Sequence, residues 1–197
     1  MSRGNMCKLG ITLPDGVVIM GIDPSLTATG LALLKGSDLV TITASPPMPT
    51  KTCPRGDFCR LAWFKERIGA VLRTGNPLVV AIEGYAYGAK SQAHSLGELG
   101  GVIRVLLFES VIPNAVVVPP NVLKKFATGT GNADKGAVSK GLFKRWGVDV
   151  ENNNEADASG LALLGAALHF PDVFSLKSEV HEAISRACER LPVKSPA

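Results

Sequence analysis

The sequence predicts a mixed α/β domain built on a single central sheet. Three observations predict it. The run Val17-Val18-Ile19-Met20-Gly21-Ile22 stops abruptly at Asp23-Pro24-Ser25. Two apolar stretches separated by Gly36-Ser37-Asp38 follow it directly. A second run, Leu78-Val79-Val80-Ala81-Ile82, ends in Glu83-Gly84 after an intervening stretch of helical spacing. Short β-branched runs of this kind suit strands covered on both faces, and a strand–helix–strand order suits parallel pairing.

Residues 1–16 read as a loose N-terminal arm. Residues 17–23 form the first strand, which ends where proline removes a backbone donor and biases its predecessor away from helix. Asp23 is then either a turn starter, common before proline, or an acid at the tip of a central strand. Residues 29–34 and 39–44 give the second and third strands of a meander turned at 36–38. Residues 46–55 form a loop rich in Pro and Thr. Residues 58–73 place Leu61, Ala62, Phe64, Ile68, Val71 and Leu72 at helical spacing, and Gly75-Asn76-Pro77 ends that helix.

Residues 78–82 are a strand parallel to the first, so a second buried strand terminates in an acid, Glu83. The loop after it carries Tyr85, Tyr87 and Lys90. Residues 91–110 form a long helix whose Gly97, Gly100 and Gly101 either allow close approach of another helix or simply weaken it, by about 1 kcal/mol each relative to Ala. Residues 115–118 are a short strand, and Pro119-Pro120 introduces a helix at 121–127. Gly129 and Gly131 lie in a turn that lacks the spacing and Lys-Ser/Thr ending of a nucleotide-triphosphate loop. The next helix, 135–146, opens on Lys135, a cation where the helix dipole disfavours one. Residues 155–169 form a helix rich in Ala and Gly; Asn154 is read as its cap and Asp157 as its third residue, a capping spacing. Residues 171–197 give a last helix, at 175–190, and a tail.

Composition narrows the function classes. A chain of 197 residues with 46% hydrophobic content suits one domain with extensions and excludes disorder. No run approaches the roughly 20 apolar residues that span a bilayer, and no secretory leader pattern opens the chain, so an intracellular, cytoplasmic protein with no membrane partner is expected. Cys7, Cys53, Cys59 and Cys188 lack zinc-site spacing and are expected to be reduced thiols. Net charge is only +4, but between Asn121 and Gly147 six cations (Lys124, Lys125, Lys135, Lys140, Lys144, Arg145) face one anion, Asp134. Such a patch attracts a polyanion; a solvated helix face would usually mix signs.

Asp23, Glu83 and Asp157 therefore stand at two strand ends and an early helix turn, where ligands of open α/β sheets bind. Converging carboxylates repel one another unless a cation lies between them. Oxygen ligands without His or Cys favour magnesium or manganese. Two such ions, ~3.5–4 Å apart, suit attack of water on a phosphodiester, and neighbouring lysines would offset the charge that grows there.

Four stretches, IMGIDPSLTATGLALL, VVAIEGYAYGAKS, PPNVLKKFATGTGNADKGAV and NEADASGLALLGAALH, resemble, in order, the RuvC-type Holliday-junction resolvases of the RNase H-like superfamily, especially the phage-borne branch. They cover residues 17–169, so 17–170 is expected to be the nuclease domain, with an RNase H-like mixed five-stranded sheet flanked by helices. The resemblance implies that Asp23, Glu83 and Asp157 bind two magnesium ions, replaceable by manganese, and that Lys135 supports the scissile phosphate as a fourth catalytic residue. A further ligand position three residues before the last acid is Asn154 here, where relatives carry Asp or His; Glu155 is the alternative. The resemblance places Lys124, Lys125, Lys135 and Lys90 against DNA, and Tyr85 or Tyr87 as the aromatic that wedges into a junction. Ser25 stands where Gly is common. The implied activity is paired phosphodiester hydrolysis of four-way junctions, leaving 5′-phosphate and 3′-hydroxyl ends, by a homodimer joined through the 91–110 helix. The alternatives are a broader fork or flap nuclease and a junction-binding module that does not cut; an actin-like or sugar-kinase relative would need two lobes, for which the chain is too short.

Overall fold

The structure, a computed structural model, describes residues 5–47, 56–84 and 93–191. Its strands are β1 (Asn5–Lys8), β2 (Val18–Asp23), β3 (Thr29–Lys35), β4 (Asp38–Ala44), β5 (Val79–Glu83), β6 (Asn114–Val118) and β7 (Glu189–Leu191). The helices are α1 (Gly56–Gly75), α2 (Ala93–Glu109), α3 (Pro120–Thr128), α4 (Lys135–Trp146), α5 (Asn153–His169) and α6 (Ser178–Ala187), with a 3-10 turn at Pro171–Phe174. The strands form one sheet in the order β1-β4-β3-β2-β5-β6-β7. The β2–β5 and β5–β6 pairs are parallel and the other pairs antiparallel.

The five strands expected from the sequence are the central five, and the sheet has seven. Residues 1–16 are not a loose arm throughout: β1 pairs with β4, and Leu9 and Leu13 behind it are buried. The last helix ends at Ala187 rather than 190, because the chain turns to lay β7 along β6. Both additions cover sheet edges that would otherwise present unpaired backbone groups. Cys59 is disulfide-bonded, against the expectation of reduced thiols, while Cys7 and Cys188 are free; the partner of Cys59 lies outside the described residues. Among the described residues no helix is long and apolar enough to cross a membrane.

Alternation along the strands sorts the core into two layers. Met20, Ile22, Val80 and Ile82 pack with Phe64, Ile68, Leu99 and Ile103 of α1 and α2. Ile19, Val79 and Ala81 face the other way, onto Leu161, Ala162 and Ala166 of α5 and the aromatic cluster of α3 and α4. In that cluster Phe126 stacks on Trp146, with ring centroids 4.8 Å apart. Arg145 is part of it: its guanidinium donates to the Phe126 carbonyl and lies 4.6 Å from the Trp146 ring centroid. That cation serves packing.

Helix α5 crosses the sheet almost in contact with its backbone. A Cβ at Gly21 of β2 would lie 2.0 Å from the Ala158 carbonyl oxygen, and one at Gly30 of β3 would lie 2.1 Å from that of Asn154. Neither obstacle is a flexible side chain that can turn aside. Gly30→Ala is expected to destabilise the protein in urea unfolding by about 1–3 kcal/mol or more, the usual cost of forcing atoms into a filled core. Gly136→Ala, at a helical glycine with open space around it, is expected to be neutral or to stabilise by up to about 1 kcal/mol.

Candidate active site

The two-residue period of a strand decides where the acids point. Asp23 shares the parity of Ile19 and Gly21, and Glu83 that of Val79 and Ala81, so both belong to the face covered by α5. The parallel register pairs Ile22 with Ile82, which sets Asp23 and Glu83 side by side one residue further on. Asp23 is 7% exposed. Asp157 lies in α5 one residue before the Ala158 carbonyl that seats on Gly21, and its charge acts on both strand acids. Lys124 arrives from α3, which begins at the same sheet edge directly after β6, and its charge acts on Glu83. Two prolines aid that start: Pro120 occupies the first turn, where no backbone donor is needed.

The electrostatics follow from burial. Loss of solvation pushes Asp23 up to about 6, with the charge of Asp157 adding to it and the hydrogen bond with Glu83 opposing it. Glu83 is pushed up to about 9, first by burial, then by the charges of Asp23 and Asp157 and by its hydrogen bond with Asp23, while Lys124 pulls it down. Both shifts favour a proton on the pair, and on Glu83 before Asp23. In this arrangement the two carboxyls face each other, and no group of three acidic, His or Cys side chains among the described residues is set to hold a metal ion. The chemistry of the set still fits a hard divalent cation, because buried carboxylates that raise each other's proton affinity are the groups a 2+ charge relieves.

The structure brings together four of the residues picked out from the sequence: Asp23, Glu83, Asp157 and Lys124. Asn154 is half-buried in the first turn of α5, with its carbonyl over Gly30. Lys125 is exposed in the last turn of α3, where a cation suits the helix dipole. Lys135 is the first residue of α4, after Asp134, which makes no capping side-chain bond. Tyr85, Tyr87 and Lys90 lie outside the described residues.

Two readings at α5 are corrected. The helix is capped by Asn152, not Asn154: Asn152 Oδ1 accepts from the Glu155 amide at 3.0 Å. Asp157 thus lies past the capping turn, and capping does not occupy it. Glu155, the alternative metal ligand, is turned away, with both carboxylate oxygens bonded to Thr41 and Thr43 of β4. The sequence reading missed these threonines. Their signal was Thr41-Ile42-Thr43, two hydroxyls on one strand face, opposite an acid at capping distance from Asn152. A small recess beside Glu83 is walled by Pro24, Gly84, Gly100, Arg104 and Val117. A larger cavity of about 640 Å³ lies between α1 and α2 at the opposite ends of the strands, lined by Lys65, Arg73 and Glu109, away from the acids.

Acids at the carboxyl ends of neighbouring strands, under a crossing helix, give a protein of RNase H-like fold one acidic edge. The family model described as Crossover junction endodeoxyribonuclease RuvC matches residues 19–164, and the chain belongs to the RuvC family. It is similar to the crossover junction endodeoxyribonuclease RuvC of Nocardia farcinica, 31% identical over 147 residues, or 74% of this chain and 77% of the relative. The protein of that name from Gloeobacter violaceus is 28% identical over 164 residues, 79% of this chain and 91% of the relative. A solved structure of Thermus thermophilus RuvC with a Holliday junction substrate shares the fold, with a TM-score of 0.61 at 23% identity, covering 89% of this chain and 99% of that one.

The raised acids make a pH prediction. Each binds its proton more tightly in the folded chain than in the unfolded one, where an ordinary carboxyl titrates near 4. The stabilisation is present in acid and is lost as pH rises through about 6 for Asp23 and about 9 for Glu83. Urea unfolding in EDTA is expected to show stability falling from about pH 5 to about pH 9, and Glu83→Gln to remove most of the alkaline part of that fall.

Proposed function

We propose that this protein is a metal-dependent, structure-specific DNA endonuclease that resolves four-way junctions by paired phosphodiester hydrolysis, leaving 5′-phosphate and 3′-hydroxyl ends. One observation carries the reading: Asp23, Glu83 and Asp157 are electrostatically coupled at one sheet edge faced by Lys124, in a chain of the crossover junction endodeoxyribonuclease family.

Asp23, Glu83 and Asp157, with the amide oxygen of Asn154, would hold magnesium or manganese. Bound divalent ions supply an acidified water and charge to meet the leaving oxygen. The chain's own residues do the rest. Asp23 is buried and Glu83 and Asp157 half-buried, so that a cation can replace the water their carboxylates lack. Asn154 adds an oxygen ligand without a further negative charge. Lys124, and Lys135 at the start of α4, would offset the growing charge on the phosphate. Lys124, Lys125, Lys140 and Lys144 form no ion pair among the described residues, which leaves them for DNA phosphates; Tyr85, Tyr87 and Lys90 would meet the junction from their loop.

Two sites are needed for paired cuts, and α2 is the element suited to join two copies. Val105 and Phe108 are 54% and 50% exposed on it. Gly97 and Gly101 continue the same face, and a Cβ at either would meet nothing within 4 Å. A smooth, apolar helix face of this kind lets an identical helix approach around a two-fold axis, which places two sites on symmetry-related strands.

The test is cleavage of an end-labelled four-way junction beside a linear duplex and a fork. Wild type is expected to make symmetric nicks with magnesium or manganese and none in EDTA. Asp23→Asn is expected to abolish cleavage while binding the junction as well as wild type. Equal cutting of the fork would widen the substrate to branched DNA, and tight binding without cutting in either metal would leave a junction-binding module. Exchanging Lys124 and Lys125 for Gln is expected to lower the slope of log affinity against log salt by about 1 for each phosphate no longer neutralised. Phe108→Glu is expected to shift the protein from dimer to monomer in light scattering.

A further inference from the structure

Glu155 is 5% exposed, and no cation pairs with it among the described residues. A buried carboxylate survives only when its oxygens are satisfied, and these are. Thr41 Oγ1 donates to Oε2 at 2.9 Å, Thr43 Oγ1 donates to Oε1 at 2.9 Å, and Asn152 Nδ2 donates to Oε1 at 3.1 Å. Asn152 Nδ2 also donates to Thr43 Oγ1 at 3.0 Å. One turn further on, Ser159 Oγ donates back to the Glu155 carbonyl at 2.6 Å.

Capping alone does not require this. The bond from the Glu155 amide to Asn152 Oδ1 already caps α5. The threonines add something else: they reach from β4, two strands from β2, past Gly30 of β3, and grip the helix by its first turn. Helical geometry says what the grip controls. Successive residues are about 100° apart around the axis, so Glu155 and Asp157 point to opposite sides while Asn154 and Asp157, three apart, share one. A hold on Glu155 from one side therefore sets the direction of Asp157 and Asn154 on the other.

We propose that Glu155, clamped by Thr41 and Thr43, is a positioning residue that fixes the first turn of α5 and aims Asp157 and Asn154 at the edge carrying Asp23 and Glu83. The proposal rests on the nuclease reading and goes beyond it, since it concerns a group that touches neither metal nor DNA. The body of α5 from Ala158 to Ala167 is held by burial; the first turn, where Asn152 and Asn153 are exposed, is held by the clamp. Misplacement of a reacting group by on the order of 1 Å is enough to slow a reaction about 10²-fold.

The experiment uses the full chain with manganese as the probe. Manganese binding is followed by electron paramagnetic resonance, junction binding is measured in EDTA, and single-turnover cleavage is measured in magnesium. Glu155→Ala is expected to weaken manganese binding about tenfold and to slow cleavage of saturating junction by up to about 10²-fold, with junction binding in EDTA unchanged. Glu155→Gln keeps the shape and lets the threonine hydroxyls reorient, and is expected to restore both to near wild type. If Glu155→Ala folds, binds manganese and cuts as wild type does, with only a lower melting temperature, the positioning role is overturned. A Gln variant as impaired as Ala also overturns it, because charge and not aim would then be the cause. Should Glu155→Ala fail to fold, Thr43→Val removes one donor at the half-buried end of the clamp; weaker manganese binding supports the proposal, and unchanged binding defeats it. Wild type that binds manganese but cuts no branched DNA would sink the nuclease reading, and the manganese titrations would still decide on the clamp.

Discussion

Everything at the acidic edge depends on how closely α5 lies on the sheet. Side chains usually hold a helix well clear of the strands beneath it. Here Gly21 and Gly30 remove the side chains at the two crossing points, and the Ala158 and Asn154 carbonyls occupy the space. Further along, a Cβ at Gly165 would lie 3.1 Å from that of Ala81. The small residues on both sides are one device. They put the backbone of α5 low enough for an acid as short as Asp157 to act on acids at the ends of β2 and β5. A longer acid on a helix carried higher would have more rotamers to lose on ordering.

Much of this was written in local pattern. The runs at 17–23 and 78–83 announced two buried strands by their β-branched residues, and the acids closing them could be read as strand tips because proline and glycine follow. Strand parity, once the register is known, puts both acids on the α5 face without further information. What failed was information that only tertiary context supplies. The stretch Asn5–Lys8 has no apolar alternation of note, and it is a strand because the edge of β4 is there to receive it. The same holds for Glu189–Leu191 against β6. At α5 the run Asn152-Asn153-Asn154-Glu155-Ala156-Asp157 contains two overlapping capping spacings, Asn152 with Glu155 and Asn154 with Asp157. Local rules do not choose between them. The threonines of β4, more than a hundred residues away in sequence, choose the first, and that choice leaves Asp157 to the site.

The electrostatic layout has a cost that the fold accepts. Asp23 is buried and Glu83 half-buried beside it, and their mutual repulsion raises the proton affinity of the pair. An apolar pair in their place would satisfy the core better, since two like charges add repulsion to the cost of desolvation. Local preference that gives way at one edge of an otherwise consistent core marks a place kept for chemistry. The two corrected assignments at α5 sharpen this. With Asn154 neutral and Glu155 turned toward β4, the first turn of α5 sends no fourth carboxylate to an edge that already holds three. Glu155 instead places its charge near the helix N-terminus, where the dipole favours an anion, and is satisfied by hydroxyls and an amide. Three acids need less counter-charge than four, and Lys124 already supplies part of it. The edge thus carries three acids and one facing cation, and the bonds from Thr41 and Thr43 keep a fourth carboxylate away from it.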